Sequence, residues 1–329
     1  MAKKEIWVYA ETTNGEPHTV YYELLAKADK LAAEKDWAVA SVLIGTAEDV
    51  DAAAAKIGTC TDKIYAARNA SLSSYSLEKY ACVFEALIRQ YEPEMVLVGA
   101  TGIGSELAPT VAAKVKTGLA AHCIDIQVDH DNDRVNCMVP AFGGKVVSEI
   151  YIPKARPMMA SVRPGILEKG QVARTCSEMV EIDTAFLNGL EEKEEFLEFI
   201  PDVRTGIALE EANVVVAAGR GISTGQAWES VNEVAERLGG AVAWSRNFID
   251  LGMVDSESNM IGTSGKSVRP DVFIGAGISG AAHFVCGMNK SKLVISVNKD
   301  EKAKIFNYSN YGVVGDAGKF LSELNKLLQ

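Results

Sequence analysis

Short, predominantly apolar runs alternate with amphipathic stretches along most of this chain, and that alternation restricts its fold more than any other feature. Ile6–Tyr9, Val39–Ile44, Lys63–Ala67 and Met95–Val98 are strand-length segments, while Tyr21–Ala33, Asp49–Ile57 and Leu77–Gln90 carry apolar residues at helical spacing. In the first of these helices Leu24, Leu25, Ala28, Leu31 and Ala32 fall on one stripe. A strand that is apolar at every position has no face to give to water. It belongs in a parallel sheet covered by helices on both sides. Ser105 reads as the cap of a further helix that runs to about Lys116.

The pattern then changes. Cys123–Val128, Arg134–Val139, Val146–Ile152 and Met158–Val162 follow closely, with turns at Asp131-Asn132-Asp133 and Gly143-Gly144, and read as an antiparallel extension of the first sheet. A solvated acidic run, Glu191-Glu192-Lys193-Glu194-Glu195, marks a connector. A second α/β unit follows, with strands at Val214–Ala218, Ala241–Trp244, Val272–Ile274, Leu293–Val297 and Tyr311–Val314 and helices at Thr224–Leu238 and Ala317–Leu328. At 329 residues the chain suits two domains. The expected division is an α/β domain over 1–185, an acidic linker over 186–208 and a parallel-sheet domain over 209–329.

Charge narrows the function. Lys+Arg 33 against Asp+Glu 44 leaves −11, which gives no counterion-release drive toward nucleic acid. No apolar run reaches the ~18–20 residues of a membrane span, so no membrane insertion is expected. The start of the chain has no signal-peptide core. Cys60, Cys82, Cys123, Cys137, Cys176 and Cys286 form no CxxC pair and read as reduced thiols of a cytoplasmic protein. The four histidines, His18, His122, His130 and His283, share no ligand spacing, so no metal is expected.

The sharpest motif is Gly275-Ala276-Gly277-Ile278-Ser279-Gly280, a full GxGxxG after an apolar strand, with Asp300 lying 20 residues past its last glycine. Such glycines let backbone N–H groups approach a pyrophosphate. Two details depart from a standard NAD site: at least two strands of the domain precede the motif, and Gly287 cuts the following helix short. An NAD(P)-dependent dehydrogenase using Gly275–Gly280 and Asp300 stays open as an alternative. Gly262-Thr263-Ser264-Gly265-Lys266-Ser267 ends like a Walker A loop, but the earlier glycine that motif needs falls at Met260. Arg220, Ser245-Arg246, Asn298-Lys299-Asp300 and Asp316 all fall at strand ends of the same half. In an open parallel sheet such ends converge on one crevice, suited here to an anionic, hydrogen-bond-rich ligand. In the first half Gly99-Ala100-Thr101-Gly102-Ile103-Gly104-Ser105 reads as a structural turn, with a nucleotide-binding module of adenine-nucleotide hydrolase-like fold as a third reading. There is no HExxH and no Cys with a credible His partner, so the chain is equipped to hold a cofactor without evident acid–base machinery.

Across nearly its whole length the chain resembles the alpha subunit of electron transfer flavoproteins, the FixB family. The resemblance rests on Val98-Gly99-Ala100-Thr101, Lys116-Thr117-Gly118-Leu119 and Arg156–Gly165 in the first half. In the second it rests on Val214–Gly221, Ser245-Arg246, Gly262–Lys266, Gly277–Ala281, Ser296–Asp300 and Tyr311–Asp316. It implies FAD held by a Rossmann-like second domain, an electron transfer flavoprotein beta subunit as partner contacting the first domain, and an acyl-CoA dehydrogenase-like flavoprotein as electron donor. The role implied is an electron carrier rather than a stand-alone enzyme, either simple or within an NADH-dependent electron-bifurcating complex. Carried over by motif, Arg220, Ser245, Ser279, Gly280, Ala281, Asn298 and Asp316 would hold the ribityl, pyrophosphate and adenosine parts, with Ala317 at the adenosine end. Ile261, Gly262, Thr263 and Ser264 would line the isoalloxazine, with the Ser264 hydroxyl near N5 and Arg246 over the ring system. A guanidinium there stabilises the negatively charged reduced flavin. The sequence departs from the family where Ala282-His283-Phe284 replaces Ile-Gln-His, so that Phe284 stands in place of an imidazole and His283 is expected to substitute for it in part. Ala317-Gly318 replaces a bulkier pair beside Asp316.

Overall fold

The computed structural model describes residues 3–141, 146–170, 172–174, 178–190, 196–198, 207–222 and 224–328. The expected turn at Gly143-Gly144, the Glu191–Glu195 run and Cys176 lie outside the described residues. The chain divides into two compact units, Met1–Pro140 with Val147–Ile200 and Ala141–Val146 with Pro201–Gln329.

The first unit opens with β1 (Glu5–Tyr9), a two-residue hairpin of β2 (Thr12–Thr13) and β3 (Glu16–Pro17), then α1 (Val20–Lys35) and β4 (Ala38–Gly45). It continues with α2 (Ala47–Ile57), β5 (Lys63–Arg68), α3 (Leu77–Tyr91), β6 (Met95–Gly99) and α4 (Gly102–Val115). Strands β7 (Leu119–Cys123), β8 (Asp125–Asp129), β9 (Arg134–Ala141), β10 (Val146–Ile150), β11 (Met158–Val162) and β12 (Glu178–Ile182) follow. A seven-stranded sheet runs β12-β5-β4-β1-β6-β11-β7, and its adjacent strands pair in parallel. Strand periodicity sends alternate side chains to two cores. Ile6, Val8, Val39 and Leu43 meet α1 and α2, while Trp7, Tyr9, Ala40 and Val42 meet α3 and α4. Each fully buried large side chain here contributes on the order of 1.5–3 kcal/mol.

Two expectations need correction. The antiparallel strands form a separate three-stranded sheet, β10-β9-β8, and Met158–Val162 is not among them. That segment lies between β6 and β7 in the parallel sheet, as its five buried residues require: none of them can face water. The cap of α4 is Thr101, whose hydroxyl accepts from the Gly104 N–H at 2.9 Å, so Ser105 is already helical. The glycine at 104 lets the helix press onto its strand; a Cβ there would stand 1.8 Å from the Gly99 carbonyl oxygen. Gly99 and Gly104 thus serve helix–strand packing. The Thr101 hydroxyl also donates to the buried Glu11 carboxylate at the end of β1.

The second unit contains β13 (Val214–Ala218), α5 (Gly225–Arg237), β14 (Ala241–Trp244), α6 (Arg246–Asp250), β15 (Val272–Ala276), α7 (Ala282–Val285), β16 (Leu293–Asn298), β17 (Tyr311–Val314) and α8 (Ala317–Leu327). Its five strands are ordered β14-β13-β15-β16-β17 and all pair in parallel. In order of appearance this is 2-1-3-4-5, a doubly wound sheet whose direction of winding reverses between β13 and β15. One face packs Val216, Ala218 and Ile274 against Val231, Val234 and Leu321 of α5 and α8. The other packs Val215, Ala217 and Phe273 against Ile261, Phe284, Met288 and Ile305.

Candidate functional site

Parallel pairing aligns the carboxyl ends of the five strands in the second unit. Ala218 sits opposite both Trp244 and Ala276, Ala276 opposite Val297, and Asn298 opposite Val314. The turns that leave these ends therefore form one rim, with the winding reversal of β13 and β15 at its middle. Two of the turns interlock: the Gly219 N–H donates to the Ala276 carbonyl at 2.9 Å and the Gly221 N–H to the Gly277 carbonyl at 3.0 Å. Gly277 and Gly280 have φ of 68° and 80°, open to glycine and strained for other residues. A Cβ on Gly277 would stand 2.6 Å from the Gly221 Cα, and one on Gly280 would stand 2.2 Å from the Ile305 nitrogen. The GxGxxG is thus a backbone crossing that leaves the Ser279 hydroxyl exposed on the rim.

Around it stand the other residues singled out by the sequence. Arg220 is exposed and forms no ion pair with the described residues. Ser245 precedes α6, held by its N–H to the Ala218 carbonyl at 3.0 Å, and Arg246 opens that helix. Asn298 donates from Nδ2 to the Ile278 carbonyl at 2.7 Å, tying β16 to the glycine turn. Asp316 caps α8 by accepting the Lys319 N–H at 2.9 Å. Hydrogen bonding from Lys299, 2.8 Å away, holds its carboxyl below the usual carboxylate range. Ala317, just inside that helix, is buried in the core under α5 and α8.

A second strip approaches from β14. The Ile261 N–H donates to the Trp244 carbonyl at 2.9 Å, and the Gly262 N–H to the Lys266 carbonyl at 3.1 Å, closing a tight loop. The Thr263 N–H reaches the His283 carbonyl at 2.8 Å, and the Thr263 hydroxyl lies 3.0 Å from His283 Nδ1. The structure thus brings Ile261–Ser264 against Ala281–Phe284, with Ser264, Ala281 and His283 exposed and Ala282 half-buried. Phe284 turns into the core, with its ring 6.3 Å from that of Phe273 in an edge-on arrangement. His283 accordingly presents the imidazole of this segment to the surface.

Lys266 is committed to Glu210 at 2.9 Å with both side chains largely buried, so its amine serves the fold and not a phosphate loop. Asp300 is equally engaged: its N–H donates to Asn298 Oδ1 and its Oδ1 accepts the Lys302 N–H, both at 2.9 Å. With only four residues, α7 is too short for the helix that a nicotinamide dinucleotide site places behind GxGxxG. Sequence reasoning missed the surroundings of Arg246. Its Nη1 lies 2.5 Å from Glu257 Oε1 and its Nε 3.3 Å from Asp250 Oδ1. The Asp250 contact has the ordinary i, i+4 signature, whereas nothing in the local sequence marks Glu257.

The donor set fits an anionic, extended ligand: exposed Arg220, Arg246, the hydroxyls of Ser264 and Ser279, and backbone turns bared by glycine at the winding reversal. Comparison with known proteins agrees. Residues 6–185 match the family model described as electron transfer flavoprotein domain, and residues 208–289 match that of the electron transfer flavoprotein FAD-binding domain. The chain is 36% identical to an electron transfer flavoprotein subunit alpha of Thermoanaerobacterium thermosaccharolyticum, over 98% of both chains. It is 36% identical to the lactate dehydrogenase (NAD(+),ferredoxin) subunit LctC of Acetobacterium woodii, covering 98% of this chain and 77% of that one. It is 31% identical to an acryloyl-CoA reductase electron transfer subunit beta of Anaerotignum propionicum, covering 97% and 94%.

Proposed function

The chain belongs to the electron transfer flavoprotein alpha-subunit family, FixB included, and from that membership we propose that it works in the cytoplasm as one half of a heterodimer with a beta subunit, relaying electrons from an acyl-CoA dehydrogenase-type flavoprotein to another redox acceptor. The observation that carries this reading is the match of residues 208–289 to an FAD-binding domain, which covers most of the carboxyl rim described above. FAD bound there supplies the electron-storing group.

The chain's own residues have distinct tasks. Arg220 and the Ser279 turn would hold the pyrophosphate, pairing guanidinium and hydroxyl with its charge. Asn298 and Asp316 stand toward the adenosine end. Ile261–Ser264 would line the isoalloxazine, where the Ser264 hydroxyl would serve N5 and the Arg246 guanidinium would lie over the ring and offset charge on the reduced flavin. His283, braced by Thr263, takes over in part from the imidazole that Phe284 replaces.

The relatives named as subunits of a lactate dehydrogenase (NAD(+),ferredoxin) and of an acryloyl-CoA reductase favour one form of this role, in which the chain serves within an NADH-dependent electron-bifurcating complex. The test is to mix the purified heterodimer with an acyl-CoA dehydrogenase and its substrate under anaerobic conditions and follow flavin bleaching. Bleaching by acyl-CoA dehydrogenase supports the carrier. Bleaching by NADH alone supports the bifurcating form. A flavin that neither reduces contradicts both.

A further inference from the structure

The ion pairs of Arg246 give its charge a built-in counterweight. Its guanidinium is bracketed by Glu257 at 2.5 Å and by Asp250, one helical turn on, at 3.3 Å. Glu257 is not on a loose loop. The Trp244 indole N–H donates to the Ser256 carbonyl at 3.0 Å and the Trp244 backbone N–H to the Asn259 carbonyl at 3.1 Å. Asn259 Nδ2 reaches back to the Val242 carbonyl at 2.9 Å, and the Met260 N–H to the Glu257 carbonyl at 3.1 Å. Residues 256–260 are therefore stitched along β14, and they lead directly into the Ile261–Ser264 strip. The carboxylate that holds Arg246 and the strip facing the same ligand share one support.

We propose that Glu257, seconded by Asp250, is a positioning residue for Arg246 that fixes its guanidinium and offsets its charge, setting the first-electron potential of the bound flavin lower than a lone arginine would. This rests on the placement of Arg246 over the flavin ring given above. An electron added without a proton leaves one extra negative charge beside the guanidinium. A carboxylate 2.5 Å from that guanidinium opposes the same charge, and both effects strengthen when a ligand displaces water from the rim. Removing the carboxylate while leaving the arginine raises the affinity for the first electron.

The experiment is an anaerobic redox titration of the FAD-loaded heterodimer, without electron-transfer partners, for wild type, Glu257→Gln, Glu257→Ala, Glu257→Asp and Arg246→Gln, and for Glu257→Gln combined with Arg246→Gln. Glu257→Gln and Glu257→Ala are expected to shift the first-electron equilibrium about tenfold toward reduction, ~59 mV upward. Glu257→Asp is expected to stay within about twofold of wild type, and the Glu257→Gln shift to shrink several-fold in the Arg246→Gln background. Unchanged potentials in Glu257→Gln and Glu257→Ala, or an equal shift with and without Arg246, overturn the inference while leaving the flavin site standing. A potential insensitive to Arg246→Gln itself, or wild type that holds no FAD, removes the placement on which the inference rests.

Discussion

Gly280→Ala is the substitution that most severely tests the reading of the GxGxxG as a backbone crossing. Gly280 has φ of 80°, and a left-handed conformation costs an L residue about 1–2 kcal/mol. The added methyl would stand 2.2 Å from the Ile305 nitrogen, 2.5 Å from its Cα and 2.7 Å from the Lys304 carbonyl carbon. All three are backbone atoms, so the strand of chain carrying them must retreat. Retreat breaks the 3.2 Å hydrogen bond from the Ile305 N–H to the Ser279 carbonyl, about 1 kcal/mol. It also loosens the Ile305 side chain, now fully buried, whose complete exposure would cost about 1.5–3 kcal/mol. Together these give about 3–5 kcal/mol, near the top of the range for single substitutions. For a unit of this size the transition should fall by about 4 °C per kcal/mol, thus roughly 12–20 °C. Gly225→Ala is the matched control: nothing lies within 4 Å of its added methyl, and it opens α5, so it should be neutral or stabilising by ~0.4–1 kcal/mol. Differential scanning calorimetry and circular dichroism melts report both. A Gly280→Ala protein within about 1 kcal/mol of wild type, or indistinguishable from Gly225→Ala, would refute the crossing.

Arg220→Gln should weaken FAD binding about 10–100-fold, since a charge-assisted contact is worth about 1.5–3 kcal/mol, with little change in melting of the FAD-free protein; fluorescence titration of the stripped heterodimer measures it. Phe284→Ala should destabilise the second unit by about 3–5 kcal/mol, because its ring fills the core beside Phe273, whereas exposed His283→Ala should leave stability nearly unchanged and alter the flavin potential. A shift confined to Phe284→Ala would reverse those assignments. In the first unit, burial pushes the Glu11 carboxyl above its ordinary value of 4.5 despite the Thr101 hydrogen bond. A folded-state pKa above the unfolded one means that stability is fully present below about 4.5 and is lost as pH rises through the folded value. Glu11→Gln, which can still accept from Thr101, should therefore be more stable than wild type at neutral pH and lose that advantage at low pH in urea melts. A constant difference across pH would contradict the burial argument.

Much of the fold was legible because most strands are predominantly apolar runs buried on both faces, which a covered parallel sheet accommodates. The errors came where two structures share one local pattern. Met158–Val162 is buried at every position, Ser161 included, as an interior parallel strand must be, yet its closeness to turn-rich strands suggests an antiparallel partner. Register and pairing are tertiary facts that spacing does not encode. Thr101 and Ser105 are both acceptable caps, and what selects Thr101 is the tight seat of Gly104 on Gly99. The segment Glu178–Ile182 gives no strand signal in sequence because its charged, largely exposed residues make an edge strand look like a loop. At the rim, the glycine turns, arginines and hydroxyls were readable from strand-end positions. The Glu257 contact was not, because it depends on how the stretch after α6 folds back along β14.

The central claim is that the rim of the second unit holds FAD, and the direct measurement is the flavin content of the heterodimer purified with its beta subunit. Visible absorption, with the released flavin identified by chromatography, should show FAD in the wild-type assembly and strongly reduced FAD when Arg220 and Ser279 are both replaced by alanine in this chain alone. A colourless wild-type heterodimer, or full FAD retention in the doubly substituted one, would contradict the account.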